Sequence, residues 1–180
     1  MFKTLSIAAV LVGFAAASLS AQVINPDTFK VSYFSNNGGT PDETVRLTHV
    51  GTTAGNVCAD IYVFDQWQEL AECCSCRQTP DGLGTLSVES DLTDNTLTGV
   101  PLPAGVIKIV SSSTCDATKP KPASGIRAWA THLQNNGTLT ETEFTDAGMS
   151  AVELSRLSAE CSAIHLDGSG KGICSCGVGD

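Results

Sequence analysis

Three cysteines within four positions, in "AECCSCRQTPDG" at 71–82, constrain this chain more than any other feature. Sulfurs this close can be metal ligands, a redox pair, or anchor points for disulfides that run to different parts of the chain. The sequence has 8 cysteines in all: Cys58, Cys73, Cys74, Cys76, Cys115, Cys161, Cys174 and Cys176. Cys73-x-x-Cys76 and Cys174-x-Cys176 together offer four thiolates to zinc, but structural zinc sites use two well-spaced knuckles and the second pair is one residue too tight. A thioredoxin-like pair needs a helix start to lower one thiol's pKa, and the residues that follow, "RQTPDG", read as a turn. An even count in an exported chain reads as a disulfide framework.

Export is what the N-terminus predicts. Met1-Phe2-Lys3 is a short basic start, Leu5 to Ala17 is an apolar, alanine-rich run, and "SLSA" supplies small residues for cleavage after Ala21. The run is short for a bilayer span, and no later stretch is long and apolar enough, so no membrane span is expected in the mature chain. No cysteine follows the cleavage point, which argues against a lipid anchor. The expected location is therefore secreted: extracellular, at the cell surface, or periplasmic. Removing 21 residues from 180 leaves a chain of single-domain size, so residues 22–180 are expected to form one domain. The whole chain carries a net charge of −9, and Lys3 is the only charge lost with the leader. Such a surface disfavours nucleic acid, which needs clustered Lys and Arg. No EF-hand spacing accompanies the acidity.

The rest reads as short strands. "DTFKVSYFS" alternates, with Phe29, Val31 and Tyr33 on one face, and "NNGG" at 36–39 breaks it. "ETVRLTHV" places Val45, Leu47 and His49 together. "VCADIYVF" and "WQELAECC" flank Asp65-Gln66, and a two-residue hairpin there would set Cys58 opposite Cys73, at a separation a disulfide tolerates. "GTLSVES" and "GVIKIVSS" are further strands, and "TKPKPASG" at 118–125 is a long-loop candidate stiffened by Pro120 and Pro122. Asn136-Gly137 suits a type I′ hairpin turn, a register that would pair Trp129 with Phe144, Thr131 with Thr142 and His132 with Glu141. Ser150, with Glu153 three positions on, starts a helix whose apolar stripe is Leu154, Leu157 and Cys161. "SAIHL" and "GICSC" read as closing strands. About eight short strands with one helix in the C-terminal half predict a mainly β fold, an immunoglobulin-like β-sandwich stabilised by disulfides.

"NVCADIYVFDQWQELAECCSC", followed by "LSVESDLTDNTLTG" and a late "GICSCG", resembles a group of uncharacterised secreted bacterial proteins with a YVFD…QE…CC.C core. The resemblance covers most of the mature chain. It implies export and a shared disulfide pattern, and it implies no activity.

Catalytic motifs are absent from the sequence: no G-x-S-x-G elbow and no H-E-x-x-H helix occur. His132 with Glu141 is a conceivable general-base pair, yet an exposed cross-strand pair explains it as well. His49 and His165 are the other two histidines. "DGSGKGI" at 167–173 has Gly172 where a phosphate loop needs Ser or Thr, and reads as a turn. Glu141, Glu143 and Asp146 are candidate calcium ligands or simply the solvent face of a strand. Asn136-Gly137-Thr138 is a glycosylation sequon that matters only in a eukaryotic secretory path, and Trp67 beside the Asp65 turn is either a candidate anchor for a partner or a ring folded back onto the sheet. No catalytic, cofactor-binding or metal residues are assigned, no cofactor is expected, and an enzyme is not expected. The reading reached is a secreted structural or interaction module. The strand carrying Phe29, Val31 and Tyr33 would add to a neighbouring sheet, in self-association or with another surface protein. A monomeric extracellular protein binding carbohydrate or another surface ligand is the second reading, and a hydrolase using His132 or His165 the third.

Overall fold

The computed structural model describes residues 23–24, 26–35, 41–134 and 136–177. The expected leader at 1–21 and the "NNGG" break at 36–39 lie outside the described residues. Eleven strands and one α-helix follow in order: β1 (Val23–Ile24), β2 (Phe29–Phe34), β3 (Thr44–His49), β4 (Val57–Asp65), β5 (Leu70–Gln78), β6 (Leu83–Ser87), β7 (Gly105–Ser112), β8 (Ile126–Leu133), β9 (Leu139–Glu143), β10 (Thr145–Asp146), β11 (Met149–Ser150) and α1 (Ala151–Asp167). Strands β10-β2-β7-β4-β5 form one sheet, β6-β3-β8-β9 the other, and β1 pairs with β11 in a small ribbon. The two sheets are antiparallel throughout. The expected mainly β sandwich with one late helix is what forms. Here β2 pairs with β7 over Phe29–Phe34, and β3 belongs to the opposite sheet.

Strand β4 explains the layering. Its sequence, VCADIYVFD, is buried at every position but the last, because both faces of its sheet are covered. Ala59, Ile61 and Val63 point into the core between the sheets, with Leu47, Ile107 and Ile126. Tyr62 and Phe64, which alternate with them, join a second cluster with Phe29, Val110 and, from α1, Leu157, Cys161 and Ile164. Each large aliphatic side chain taken fully out of water here stabilises the fold by about 1.5–3 kcal/mol. The Tyr62 hydroxyl donates to Ala117 O at 2.7 Å, which holds the loop after β7 against the same face. The segment at 118–125 is not a free loop. It doubles back along the end of β7, with Ser113 N donating to Lys121 O and Ala123 N to Ser111 O.

Helix α1 begins as expected. Ser150 caps it, its hydroxyl accepting from Glu153 N at 3.1 Å. The Glu153 carboxylate turns instead to Lys108 and Arg156, so only half of the capping box forms. The buried stripe is Leu157, Cys161 and Ile164, one turn further on than expected, with Leu154 half-buried. Consequently "SAIHL" is not a strand. Ile164 continues the helix onto the β4 face, and this packing outweighs its β-branched preference. "GICSC" contributes only a single parallel bridge, from Ile173 to Cys73.

Two hairpin registers differ from the sequence expectation, each because the turn is longer than two residues. At the β4–β5 turn Asp65 N donates to Glu69 O, with Gln68 in the left-handed region at φ 72°, and a register shift follows between Val63 and Phe64. Cys58 therefore faces Arg77, and Tyr62 faces Cys73. At the β8–β9 turn Gln134 N donates to Thr138 O and Gly137 takes φ 79°. That is the three-residue loop with a left-handed glycine rather than the two-residue type I′ turn. The register slips by one residue. Trp129 pairs with Glu143, Thr131 with Glu141, and His132 with Thr140, so none of the three pairs expected from Asn136-Gly137 forms.

Candidate functional site

All eight cysteines are used in disulfides: Cys58–Cys115, Cys73–Cys161, Cys74–Cys174 and Cys76–Cys176, with Cα separations of 5.2, 5.9, 5.2 and 5.3 Å. The expected Cys58–Cys73 bridge is replaced, because the shifted hairpin moves Cys73 opposite Tyr62 and leaves Cys58 beside the loop that carries Cys115. The dense "CCSC" run works by alternation. Cys73 points to the helix side and holds Cys161, while Cys74 and Cys76 point into the inter-sheet core and hold the tail. Cys74, Cys76 and Cys176 have sulfurs close enough to share a metal, as do Cys73, Cys161 and the His165 ring. In both groups the sulfurs are already spent on S–S bonds.

The other sequence candidates fall in separate places. Among Glu141, Glu143 and Asp146, Glu141 pairs with Arg46, Glu143 lies 3.8 Å from Arg127, and Asp146 pairs with Lys30 and, at 3.2 Å, Arg127. Cations thus already balance the proposed calcium ligands. Of segment 167–173, Asp167 ends α1 and the rest is a turn, with Ser169, Gly170 and Gly172 all at positive φ. His165 is exposed on α1. His49 is buried and shares a hydrogen bond with Thr53 at 3.1 Å. Asn136 lies in the β8–β9 turn, its Oδ1 accepting from Thr138 N. Trp67 is exposed at the tip of the β4–β5 turn.

Phe29, Val31 and Tyr33 sit in β2, an interior strand of its own sheet. Across from β7, strand β10 covers only Lys30 and Val31. Phe29 O accepts from Ala147 N, so by alternation the main chain of Val31 and Tyr33 also points away from β7. Among the described residues no strand pairs with Ser32–Phe34 on that side.

The most organised polar cluster lies beside this open edge. His132, only 4% exposed, shares a hydrogen bond between Nε2 and Thr142 Oγ1 at 2.9 Å. Its Nδ1 lies 3.9 Å from Glu43 Oε2, too long for a hydrogen bond. The Tyr33 ring stacks on the imidazole, with centroids 4.4 Å apart and planes at 13°. Hydroxyl, imidazole and carboxylate stand in the order of a catalytic triad, but the roles do not follow. Glu43 accepts from Ser35 N and Leu133 N at 3.1 and 3.0 Å, which employs both of its oxygens in holding main chain. Tyr33 covers one face of the imidazole. The chain of contacts fixes His132, and His132 fixes Tyr33, which remains 57% exposed. Glu43 was not among the sequence candidates; nothing in "PDETV" marks an acid whose role is to cap amides from two distant segments.

Among the described residues no cation pairs with the buried carboxylates of Asp60 and Glu72. Asp60 accepts from Ser75 Oγ, and Ser112 also lies close enough to favour its charged form. Burial is the main cause that raises its pKa to about 7. Glu72 accepts from Asn95 N at 3.0 Å, with Oε2 unpartnered among the described residues, and burial pushes it up to about 8. In contrast, the Arg156 guanidinium, then Lys108, hold Glu153 well below the usual carboxylate range.

No protein-family model, curated protein or solved structure matches this chain. The fold and site define a two-sheet antiparallel sandwich with a disulfide-anchored helix and a fixed, exposed aromatic ring at one open edge.

Proposed function

We propose that this is a secreted, non-catalytic interaction module that recognises a partner beside Tyr33. The observation that carries the reading is an aromatic ring held out in solvent while one of its faces is pinned by a buried, hydrogen-bonded histidine. Burying a large rigid ring on binding costs little conformational entropy when the ring is already fixed. Secretion is supported by the leader-like N-terminus, by the resemblance to exported proteins, and by four disulfides, which persist in oxidising compartments. No helix among the described residues is long and apolar enough to cross a membrane.

A thermal-shift screen tests recognition, using saccharides, short peptides and lipid headgroups on the wild type and on Tyr33→Ala. A ligand that stabilises the wild type and not the variant supports the reading. Equal stabilisation of both would put recognition elsewhere and end it. Export is checked by expressing the whole chain and sequencing the N-terminus of the exported product, which should begin at Gln22.

Self-association through β2 is a second reading, favoured by the outward main chain at Tyr33. Donating β2 to a neighbour would break its six-residue pairing with β7, so in this version β2 receives a strand. Tyr33→Pro removes one outward N–H without touching the β7 ladder. Dimers seen in native mass spectra should then disappear; their persistence would rule out this edge.

A further inference from the structure

Tyr33 is one end of a row that crosses the five-stranded sheet. It pairs with Val106 of β7, and Val106 in turn pairs with Phe64 of β4. Two cavities share Val106. The one beside Tyr33, about 510 Å³, is rimmed by Ser32, Thr142, Glu143 and Thr145. The other, about 200 Å³, runs past Phe64 to Asp65 and Gln68. The two meet at Val106, and this paired trough touches α1 at Arg156.

The aromatic groups along it differ in what they offer. Phe64 is already covered by cations, Lys108 Nζ at 4.8 Å and Arg156 Cζ at 5.1 Å from its ring centre. Both are neutralised by Glu153, and Arg156 also by Glu160. Tyr33 is covered on one side only. Trp67, 67% exposed, stands between Asp65 and Gln68 at the far end. Its main-chain N–H donates to Asp65 Oδ1 at 2.8 Å, which sets the turn that carries it. Tyr33 and Phe64 thus stand two inter-strand steps apart, about 10 Å, with the turn that carries Trp67 just beyond Phe64.

A flat, fixed ring ringed by hydroxyls and a carboxylate suits one ligand chemistry in particular. A pyranose has an apolar face of C–H groups that lies against an aromatic ring, and a rim of hydroxyls that both donate and accept hydrogen bonds. An anionic ligand would meet Glu143 and a chain of net charge −9. A peptide strand would find outward main chain at little more than Tyr33. Resting on the recognition reading above, we infer that the trough binds a neutral oligosaccharide. One sugar ring stacks on the open face of Tyr33, its hydroxyls bond to Glu143 and the flanking Ser and Thr side chains, and the chain extends toward Trp67.

The probes are neutral β-linked gluco-, xylo- and N-acetylglucosamine oligosaccharides of three to six rings. Binding is measured by calorimetry and by amide chemical shifts on the oxidised, leader-free chain. At least one series should bind with shifts centred on β2, β7 and β9. Tyr33→Ala should weaken it tenfold or more and Trp67→Ala severalfold for the longer probes only, while Tyr33→Phe retains most affinity. Glu143→Gln, at a half-exposed rim position, should weaken binding without moving the melting temperature, which separates recognition from folding. Tyr33-dependent binding of a peptide, with no saccharide bound, would overturn the saccharide inference and keep the recognition reading. No Tyr33-dependent binding of any class would overturn both.

Discussion

Asp60 stands midway along β4 between Ala59 and Ile61, and among the described residues no cation pairs with it. Its raised pKa makes the fold sensitive to pH in a definite direction. Between pH 4 and about 7 the unfolded chain has lost the proton that the folded carboxyl keeps, so stability falls as pH rises through that window and then levels off. Glu72 extends the decline to about pH 8. Glu153 has the opposite sign: its stabilisation is full above about pH 4.5 and is lost as pH drops toward 2. The melting temperature should therefore peak in mildly acidic solution and fall by several degrees toward pH 8. Asp60→Asn, which mimics the neutral carboxyl, should leave the value at pH 5 nearly unchanged and raise it at pH 8. Parallel melting curves for variant and wild type across pH 4–8 would show that Asp60 is not the titrating group. Both carboxylates were in plain view in the sequence, yet only three-dimensional packing reveals that they lack cations.

At the level of elements, local chemistry was legible wherever one or two neighbours decide the outcome. The Ser150 cap, the alternation of β3, the apolar run of β7 and the existence of both hairpins follow from side chains a few positions apart. The registers did not, because a single residue added to a turn moves every pairing and no residue in "DQWQE" or "QNNGT" specifies the loop length uniquely. The same uncertainty propagated to the bridge expected from Cys58. It also hid the Tyr33–His132 stack, which joins strands of different sheets, and the half-formed capping box, whose Glu153 is drawn off by Lys108 from β7. Two consequences are measurable in denaturant. Ser150→Ala removes the acceptor for Glu153 N and should lower the unfolding free energy by about 1 kcal/mol. Leu157→Ala, at a fully buried position between α1 and the sheet, should cost about 2–5 kcal/mol. A smaller loss for Leu157→Ala than for Ser150→Ala would mean that the helix is held by its disulfide rather than by its apolar face.

For the molecule as a whole, the tail matters beyond its two bridges. Strand β5 ends the five-stranded sheet, and an uncovered sheet edge is a template for other chains. Here Cys73 N donates to Gly172 O at 2.9 Å, Cys174 N to Cys73 O at 3.4 Å, and Leu97 N to Ala71 O at 3.0 Å, so tail and loop occupy that edge. The Cys74–Cys174 and Cys76–Cys176 bridges each close 100 residues of sequence, long loops whose closure constrains the unfolded chain strongly. They also clamp the tail where it shields the edge. Replacing Cys74, Cys76, Cys174 and Cys176 by serine removes both bridges and leaves Cys58–Cys115 and Cys73–Cys161 to hold the sandwich and helix. The variant should keep its far-ultraviolet dichroism, lose hydrogen-exchange protection at Cys73 and Cys174, and self-associate in proportion to concentration. A variant that stays monomeric with both amides still protected would mean that main-chain bonding alone seats the tail. A variant that loses its dichroism would mean that these bridges carry the sandwich itself.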